Sequence, residues 1–356
     1  MPASVLTAPD AKPVVDLPVF DLTRFAPGHP ERQQALSELR STARNLGFFY
    51  LEGHGVAQET IDGILDLSRR FFALPEHDKI AIEMRKSSNF RGYNRAGLEF
   101  TRGAQDWREQ VDFGPEREKI ATIPGDQPWL RLVGPNQFPD ALPEMRPIIL
   151  DWIATVTALG IRLIEVFAEA LGQDPHVFQP IYRDGPNQLL KIIRYPGRDK
   201  TETDQGVGAH KDGGFVTVLL QDKVGGLQVD DRNGGWIDAP PRRGSFVINV
   251  GELFEMASGG YLLANIHRVI TPPAGGDRLS VAFFLGANLS SRIPLLELPE
   301  ALASDVRGVT QDPNNPLFRE VGRNALKSRL RSHPDVAAAH HADLVETILG
   351  PSKTPA

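Results

Sequence analysis

The chain has 356 residues, 41% hydrophobic and 24% charged, with a net charge of −6 at pH 7 and no cysteine. That is globular composition, long enough for one large domain or two ordinary ones. The missing cysteine excludes disulfides, thiolate zinc sites, iron–sulfur clusters and a cysteine nucleophile, and the acidic balance argues against nucleic-acid or anionic-membrane partners. Any metal must therefore be held by His, Asp, Glu or backbone oxygen. The 33 glycines and 29 prolines favour turn-rich β structure over a helical bundle. No stretch reads as the roughly 20 apolar residues that span a bilayer. Met1–Pro13 lacks a basic-then-apolar signal pattern, so the expectation is a disordered leader on a cytoplasmic protein.

In chain order, Val14–Leu22 predicts an extended segment. A helix follows over Arg32–Leu46, with Leu36, Leu39, Ala43 and Leu46 at helical spacing. Gly47–Leu51 is a short apolar strand closed by Gly53-His54-Gly55. A second helix over Ala57–Ala73 presents Ile61, Ile64, Leu65, Leu67 and Phe71, and Pro75 stops it. Arg85–Arg117 is charged and without a clean period, which predicts a long functional loop. The longest helix spans Leu142–Leu171 on an unbroken apolar stripe from Met145 to Ala170.

After Pro186 the rhythm turns to period two. Strands are predicted at Gln188–Tyr195, Val207–Ala209, Phe215–Leu220, Leu227–Val229, Trp236–Asp238, Ser245–Asn249, His267–Ile270 and Leu279–Leu285. Short strands separated by Gly, Pro, Asp and Asn predict a double-sheet jelly roll of the cupin kind. The tail, Asn324–Leu349, is helical again. The fold class expected is α+β: a double-stranded β-helix core, a helical N-terminal region and one long supporting helix. The divisions expected are 14–130, 186–290 for the roll, and a helical extension at 291–356.

The β-rich half holds two histidines, His210 and His267, each at the edge of a predicted strand. Asp212 follows His210 by two residues, so an imidazole and a carboxylate share one strand face. Two His and one carboxylate with open positions form the facial triad of non-haem Fe(II) sites. A lone His-x-Asp also fits a surface turn. Arg278 and Ser280 lie beyond His267 on the last strand, again two apart on one face. Arg offers a planar fork matched to a carboxylate, and Ser adds a donor. An isolated Arg-x-Ser fits a surface strand equally well.

Several motifs together carry a resemblance. They are Gly208-Ala209-His210-Lys211-Asp212, Leu219-Leu220-Gln221-Asp222, Gly225-Gly226-Leu227-Gln228-Val229, Asn265-x-His267-Arg268-Val269, and Arg278-Leu279-Ser280-Val281-Ala282-Phe283-Phe284. Further upstream, Gly47-Phe48-Phe49-Tyr50, His54-Gly55-Val56 and Phe90-Arg91-Gly92-Tyr93 join them. The chain resembles the Fe(II)- and 2-oxoglutarate-dependent oxygenases of the isopenicillin N synthase-like superfamily over roughly residues 15–335. The resemblance implies that His210, Asp212 and His267 hold Fe(II). It implies that Arg278 and Ser280 hold the distal carboxylate of 2-oxoglutarate, with Tyr195 beside it, and that O₂ is the other cosubstrate. It makes 14–130 the family's non-haem dioxygenase N-terminal domain. The chain reads Ile193-Arg194-Tyr195-Pro196 where plant members carry Asn-Tyr-Tyr-Pro, which points to a bacterial type. The family's halogenases lack the carboxylate that Asp212 supplies, so halogenation is not expected.

The implied reaction is oxidative decarboxylation of 2-oxoglutarate to succinate and CO₂, coupled to hydroxylation, desaturation or cyclisation of a small organic substrate. An oxidase using the same triad without 2-oxoglutarate is an alternative, and a non-catalytic cupin-like binding protein is another. Phe284 is a candidate pocket residue, with core packing the competing role. Lys191 is a candidate partner for a substrate acid if it points inward, or a plain surface lysine if not. Arg91 and Tyr93 are candidate substrate contacts from the long loop, which otherwise reads as solvated. The remaining histidines, His333 and His341 among them, are expected in surface or structural roles. A monomer with no nucleic-acid or membrane partner is expected.

Overall fold

The computed structural model describes residues 16–309, 312 and 315–350, so the expected leader and the start of the first extended segment lie outside the described residues. The N-terminal half forms β1 (Val19–Asp21), α1 (Arg32–Asn45), β2 (Phe48–Glu52), α2 (Gln58–Phe72) and a short α3 (Glu76–Ala81). Next come β3 (Gly92–Asn94), β4 (Phe100–Thr101), β5 (Ala104–Gln105), β6 (Glu109–Phe113), α4 (Met145–Ala170) and a single turn, α5 (Gln179–Tyr182). The roll is built from β7 (Asn187–Pro196), β8 (Gln205–His210), β9 (Val216–Gln221), β10 (Leu227–Asp230), β11 (Trp236–Asp238) and β12 (Phe246–Val250). It continues through α6 (Glu252–Ala257), β13 (His267–Ile270) and β14 (Asp277–Gly286). Then follow α7 (Glu300–Ala303), α8 (Val321–Ser332), α9 (Pro334–His340) and α10 (Ala342–Leu349). The tail predicted as helical is thus three helices, because Pro334 and His341 interrupt it.

The described strands pair into a larger sheet, β1-β2-β12-β9-β14-β7-β6-β3, a smaller one, β11-β10-β13-β8, and the ribbon β4-β5. The two main sheets enclose the roll's interior, where Phe48, Tyr50, Ile193, Tyr195, Val229 and Ala282 cluster. The outer face of the larger sheet is covered by helices. On β14, Leu279, Val281, Phe283 and Leu285 join that outer core, while Ala282 and Phe284 face inward. Both faces being buried, period two here separates two interiors rather than core from water. The outer core runs from Phe20 to Val321 without a break, so the N-terminal half and the roll share one interior.

Helix α4 supplies the centre of the outer layer. Ile149, Trp152, Val156, Leu163 and Phe167 are buried along it, and Phe167 meets Phe49 and Phe254 at ring-centroid distances of 6.2 and 5.3 Å. By length and composition this helix is apolar enough to cross a bilayer, which corrects the sequence expectation that no stretch is. A helix laid against a sheet and flanked by other helices is apolar on more than one side, and passes the same test.

The 85–117 segment is a second correction. It is not a loop: β3 and β6 extend the larger sheet beyond β7, and β6 is buried along its whole length. Its hydrophobic period is invisible because Glu109, Gln110 and Asp112 occupy buried positions normally filled by apolar residues. Truncating Phe167 to Ala should cost about 3–5 kcal/mol through the cavity left between α4 and the sheet. The check is a urea unfolding curve whose midpoint falls while its slope stays unchanged.

Candidate metal centre

The smaller sheet brings the two histidines together. β8 and β13 run antiparallel with His210 directly opposite His267, and their ring centroids lie 4.3 Å apart. Asp212 stands just past the end of β8, with Oδ1 at 3.5 Å from His210 Nε2 and 3.6 Å from His267 Nε2. One donor atom from each of the three residues lies within 4.8 Å of the others. Among the described residues this is the one such group of His and acidic side chains.

Each donor is oriented by a neighbour. His210 Nδ1 donates to the Gly208 carbonyl at 2.8 Å, which leaves the Nε2 lone pair free for a metal. Asp212 Oδ2 accepts from Thr217 Oγ1 at 2.6 Å and Asn249 Nδ2 at 2.8 Å, turning Oδ1 toward the imidazoles. Burial alone would raise the Asp212 carboxyl. The His267 and His210 imidazoles, with the Thr217 hydroxyl, outweigh it and hold the group well below the usual carboxylate range. Burial, reinforced by His210, pushes His267 down to about 4, so its imidazole is neutral and able to ligate at pH 7.

Deeper in the roll, Arg278 is fully buried. Its Nη2 donates to Gln221 Oε1 at 2.8 Å, and its guanidinium lies 4.8 Å from the Tyr195 ring centroid. Nε and Nη1 of Arg278 and Oγ of Ser280 have no partner. An unpaired buried guanidinium beside an unpaired hydroxyl is costly. Both can be satisfied by one carboxylate, so these residues fit the end of a dicarboxylate cosubstrate. The spacing predicted for Arg278 and Ser280 is realised: both face the interior, opposite Tyr195 and Ile193 of β7.

The remaining candidates divide. Phe284 faces the roll and packs partly buried against its interior. Lys191 does point inward, but its partner belongs to the protein: Nζ lies 2.9 Å from Glu99 and 3.7 Å from Asp112. A role for Lys191 as a free cation awaiting a substrate acid is corrected on that ground. Tyr93 is also corrected. It lies in the outer core against Phe71, its hydroxyl donating 2.5 Å to Glu109, because its strand position faces the helices. Arg91 is buried, 4% exposed, with its guanidinium where a Cβ on Gly114 would stand. Arg194, of unassigned role in the sequence, ties three strands through Glu109 at 2.7 Å and Asp277 at 2.6 Å.

Sequence reasoning missed the charged wall beside the site. Glu99 bridges Lys191 and Arg108, at 2.9 and 2.8 Å. Asp106 caps the Gly208 amide at 3.0 Å and accepts from Gln205, also at 3.0 Å, which pins the β4–β5 ribbon to the strand that carries His210. From α8, Arg329 reaches Asp112 at 2.8 Å, and the buried His333 lies 3.9 Å from Glu99. The available signal was the acidic and basic residues repeated through 99–112, a pattern that reads as solvated until the fold buries it.

Two family models match the chain: residues 17–141 match the non-haem dioxygenase in morphine synthesis N-terminal model, and residues 186–287 the 2OG-Fe(II) oxygenase superfamily model. The sequence is 34% identical over 336 residues to the 2-oxoglutarate-dependent dioxygenase frbJ of Dothideomycetidae sp. (strain 11243), covering 90% of each chain. This chain belongs to the Fe(II)- and 2-oxoglutarate-dependent oxygenases of the isopenicillin N synthase-like superfamily. The homoarginine-6-hydroxylase 2-ODD-C23.1 of Arabidopsis thaliana is 32% identical over 295 residues, covering 79% of this chain and 88% of its own. The crystal structure of full-length Neurospora crassa T7H with alpha-KG superimposes with a TM-score of 0.68 at 25% identity, covering 82% of this chain and 93% of that one. The oxygenase uses Fe(II), 2-oxoglutarate and O₂ and oxidises a small organic molecule. Neither the oxidase alternative nor a non-catalytic cupin is favoured.

Glu99→Gln should destabilise this oxygenase by about 3 kcal/mol, because Arg108 and Lys191 then share too little negative charge in a buried site. Burial opposes the Glu99 charge, but Arg108 and Lys191 hold its carboxyl well below the usual range. A depressed carboxyl stabilises the fold above its unfolded-state pKa, and that stability is lost as pH falls toward the folded-state value. Urea unfolding should therefore show the full gap between wild type and variant at neutral pH, narrowing in acid.

Proposed function

We propose that His210, Asp212 and His267 are the Fe(II) ligands of this oxygenase, that Arg278 and Ser280 grip the distal carboxylate of 2-oxoglutarate, and that Tyr195 supports that grip. One observation carries the assignment: the compact His–Asp–His cluster shares the roll's interior with an arginine and a serine whose buried donors are unfilled. When bound, Fe(II) and 2-oxoglutarate supply oxidative decarboxylation to succinate and CO₂ coupled to substrate oxidation. The protein's own residues do the positioning. Thr217 and Asn249 fix the Asp212 carboxylate, and the Gly208 carbonyl fixes the His210 tautomer. Gln221 aims the Arg278 fork, and the Tyr195 ring supports its face. The apolar walls around Phe48, Val229 and Ala282 exclude water from the reacting atoms. Phe284 faces the substrate side, where the products are a hydroxylated, desaturated or cyclised form of the substrate.

His210→Ala should abolish tight Fe(II) binding in anaerobic titration calorimetry and, with it, succinate release. Asn249→Ala should weaken Fe(II) binding by about 10–100-fold, since it removes one of two bonds that orient the ligand carboxylate. Arg278→Gln should raise the KM for 2-oxoglutarate by about 10–100-fold while leaving Fe(II) affinity unchanged. A His210→Ala protein that still bound Fe(II) as tightly as wild type would sink the ligand assignment.

A further inference from the structure

We infer that Arg91 anchors an anionic group, best matched by a carboxylate, at the end of the substrate remote from the metal. This rests on the oxygenase reading and narrows its substrate class. Arg91 is 4% exposed, its Nε has no partner, and no ion pair reaches its guanidinium among the described residues. The acids in electrostatic range are already committed. Asp112 accepts from Arg329 at 2.8 Å and Gln110 at 2.9 Å. Glu116 accepts from Arg146 at 3.0 Å and Asn136 at 2.6 Å. Burial first, and the Arg329 charge second, pull Arg91 down to about 9, with Asp112 and Glu116 offsetting only part of this. Buried arginines are ordinarily paired, and an unpaired one is expensive to hold.

Its placement points to the roll. The guanidinium fills the space of a Gly114 Cβ. Gly114 follows β6 two residues after Asp112, and Asp112 faces Lys191 on the interior side. Residues two apart in extended chain share a face, so the guanidinium lies on the side that borders the site. The charge pairing agrees. Around the wall, Glu99, Asp106 and Asp112 already have basic partners in Lys191, Arg108 and Arg329, so none of them is left for Arg91. His333 adds no charge, since burial pushes its imidazole down to about 4. One substrate carboxylate, taken bidentately by the Arg91 fork, supplies the missing partner. β6 stands three strands from β9, whose Thr217 bonds Asp212. At a strand spacing of about 4.8 Å that is roughly 14 Å, so the anion sits far from the carbon being oxidised.

The test uses the full-length enzyme with Fe(II) and 2-oxoglutarate, and a panel of aryl and alkyl carboxylates each paired with its primary amide. Succinate release is read against the uncoupled rate without panel compound. The expected result is stimulation by acids and not by their amides. Arg91→Gln should raise the KM of the stimulating acid by about 10–100-fold with uncoupled turnover preserved. Thermal unfolding of Arg91→Met supplies the second reading: loss of an unpaired buried cation should leave the melting temperature equal to or above wild type. Equal stimulation by amides, or a clear drop in melting temperature for Arg91→Met, overturns the inference. A wild-type protein that turns over 2-oxoglutarate without preferring acids loses only this inference, whereas one that never releases succinate loses the site assignment beneath it.

Discussion

Everything at the centre depends on the register by which β8 meets β13. A strand pair with His210 opposite His267 puts two imidazoles on one side of the small sheet, and a shift of one residue would send one of them to the other face. Asp212 then needs only the short turn beyond β8 to reach them. The turn is held in place from the opposite sheet, because Thr217 on β9 and Asn249 on β12 both bond its carboxylate. The triad is therefore a contact between two sheets as much as a motif in one.

The same two-sheet geometry explains why so many polar groups tolerate burial. The larger sheet has an apolar outer face against α4 and an inner face that carries Arg278, Ser280, Gln221, Lys191 and Asp112. Most of these find partners inside the protein. Buried side chains with unfilled atoms include Arg278 with Ser280, and Arg91, alongside Nε of Arg108 and Oε1 of Gln110. Buried polar atoms left without partners cost stability at those points.

Legibility in the sequence followed burial pattern. Strands of the roll were readable because β-branched and aromatic runs stop at Gly, Pro, Asp and Asn, and α4 because its apolar stripe is long. His210–Asp212 and Arg278–Ser280 were readable because each pair is two residues apart, which in a strand fixes a shared face, whereas His267 reaches the first pair only through the register of β8 and β13. β3 and β6 were not, since Glu109, Gln110 and Asp112 give a buried strand the look of a loop. Tyr93 was misplaced for the same reason, as its face could be assigned only once its strand was known. Lys191 pointed inward as one reading held, yet its partner Glu99 comes from a distant ribbon that no local spacing links to it.

By itself, then, the sequence carried the strands of the roll, the helix that supports it and the pairings His210–Asp212 and Arg278–Ser280, because these rest on spacings of two to four residues; that His267 joins them was an expectation of the family resemblance. Only the tertiary structure decided which charges neutralise one another. Glu99 with Lys191 and Arg329 with Asp112 join segments far apart in the chain. Coulombic pairing in a buried site depends on distance in space, and that distance is set by packing rather than by position along the chain. Arg91 shows this most plainly: its motif marked it as a candidate contact, but only the fold reveals that it is buried without an acid of its own.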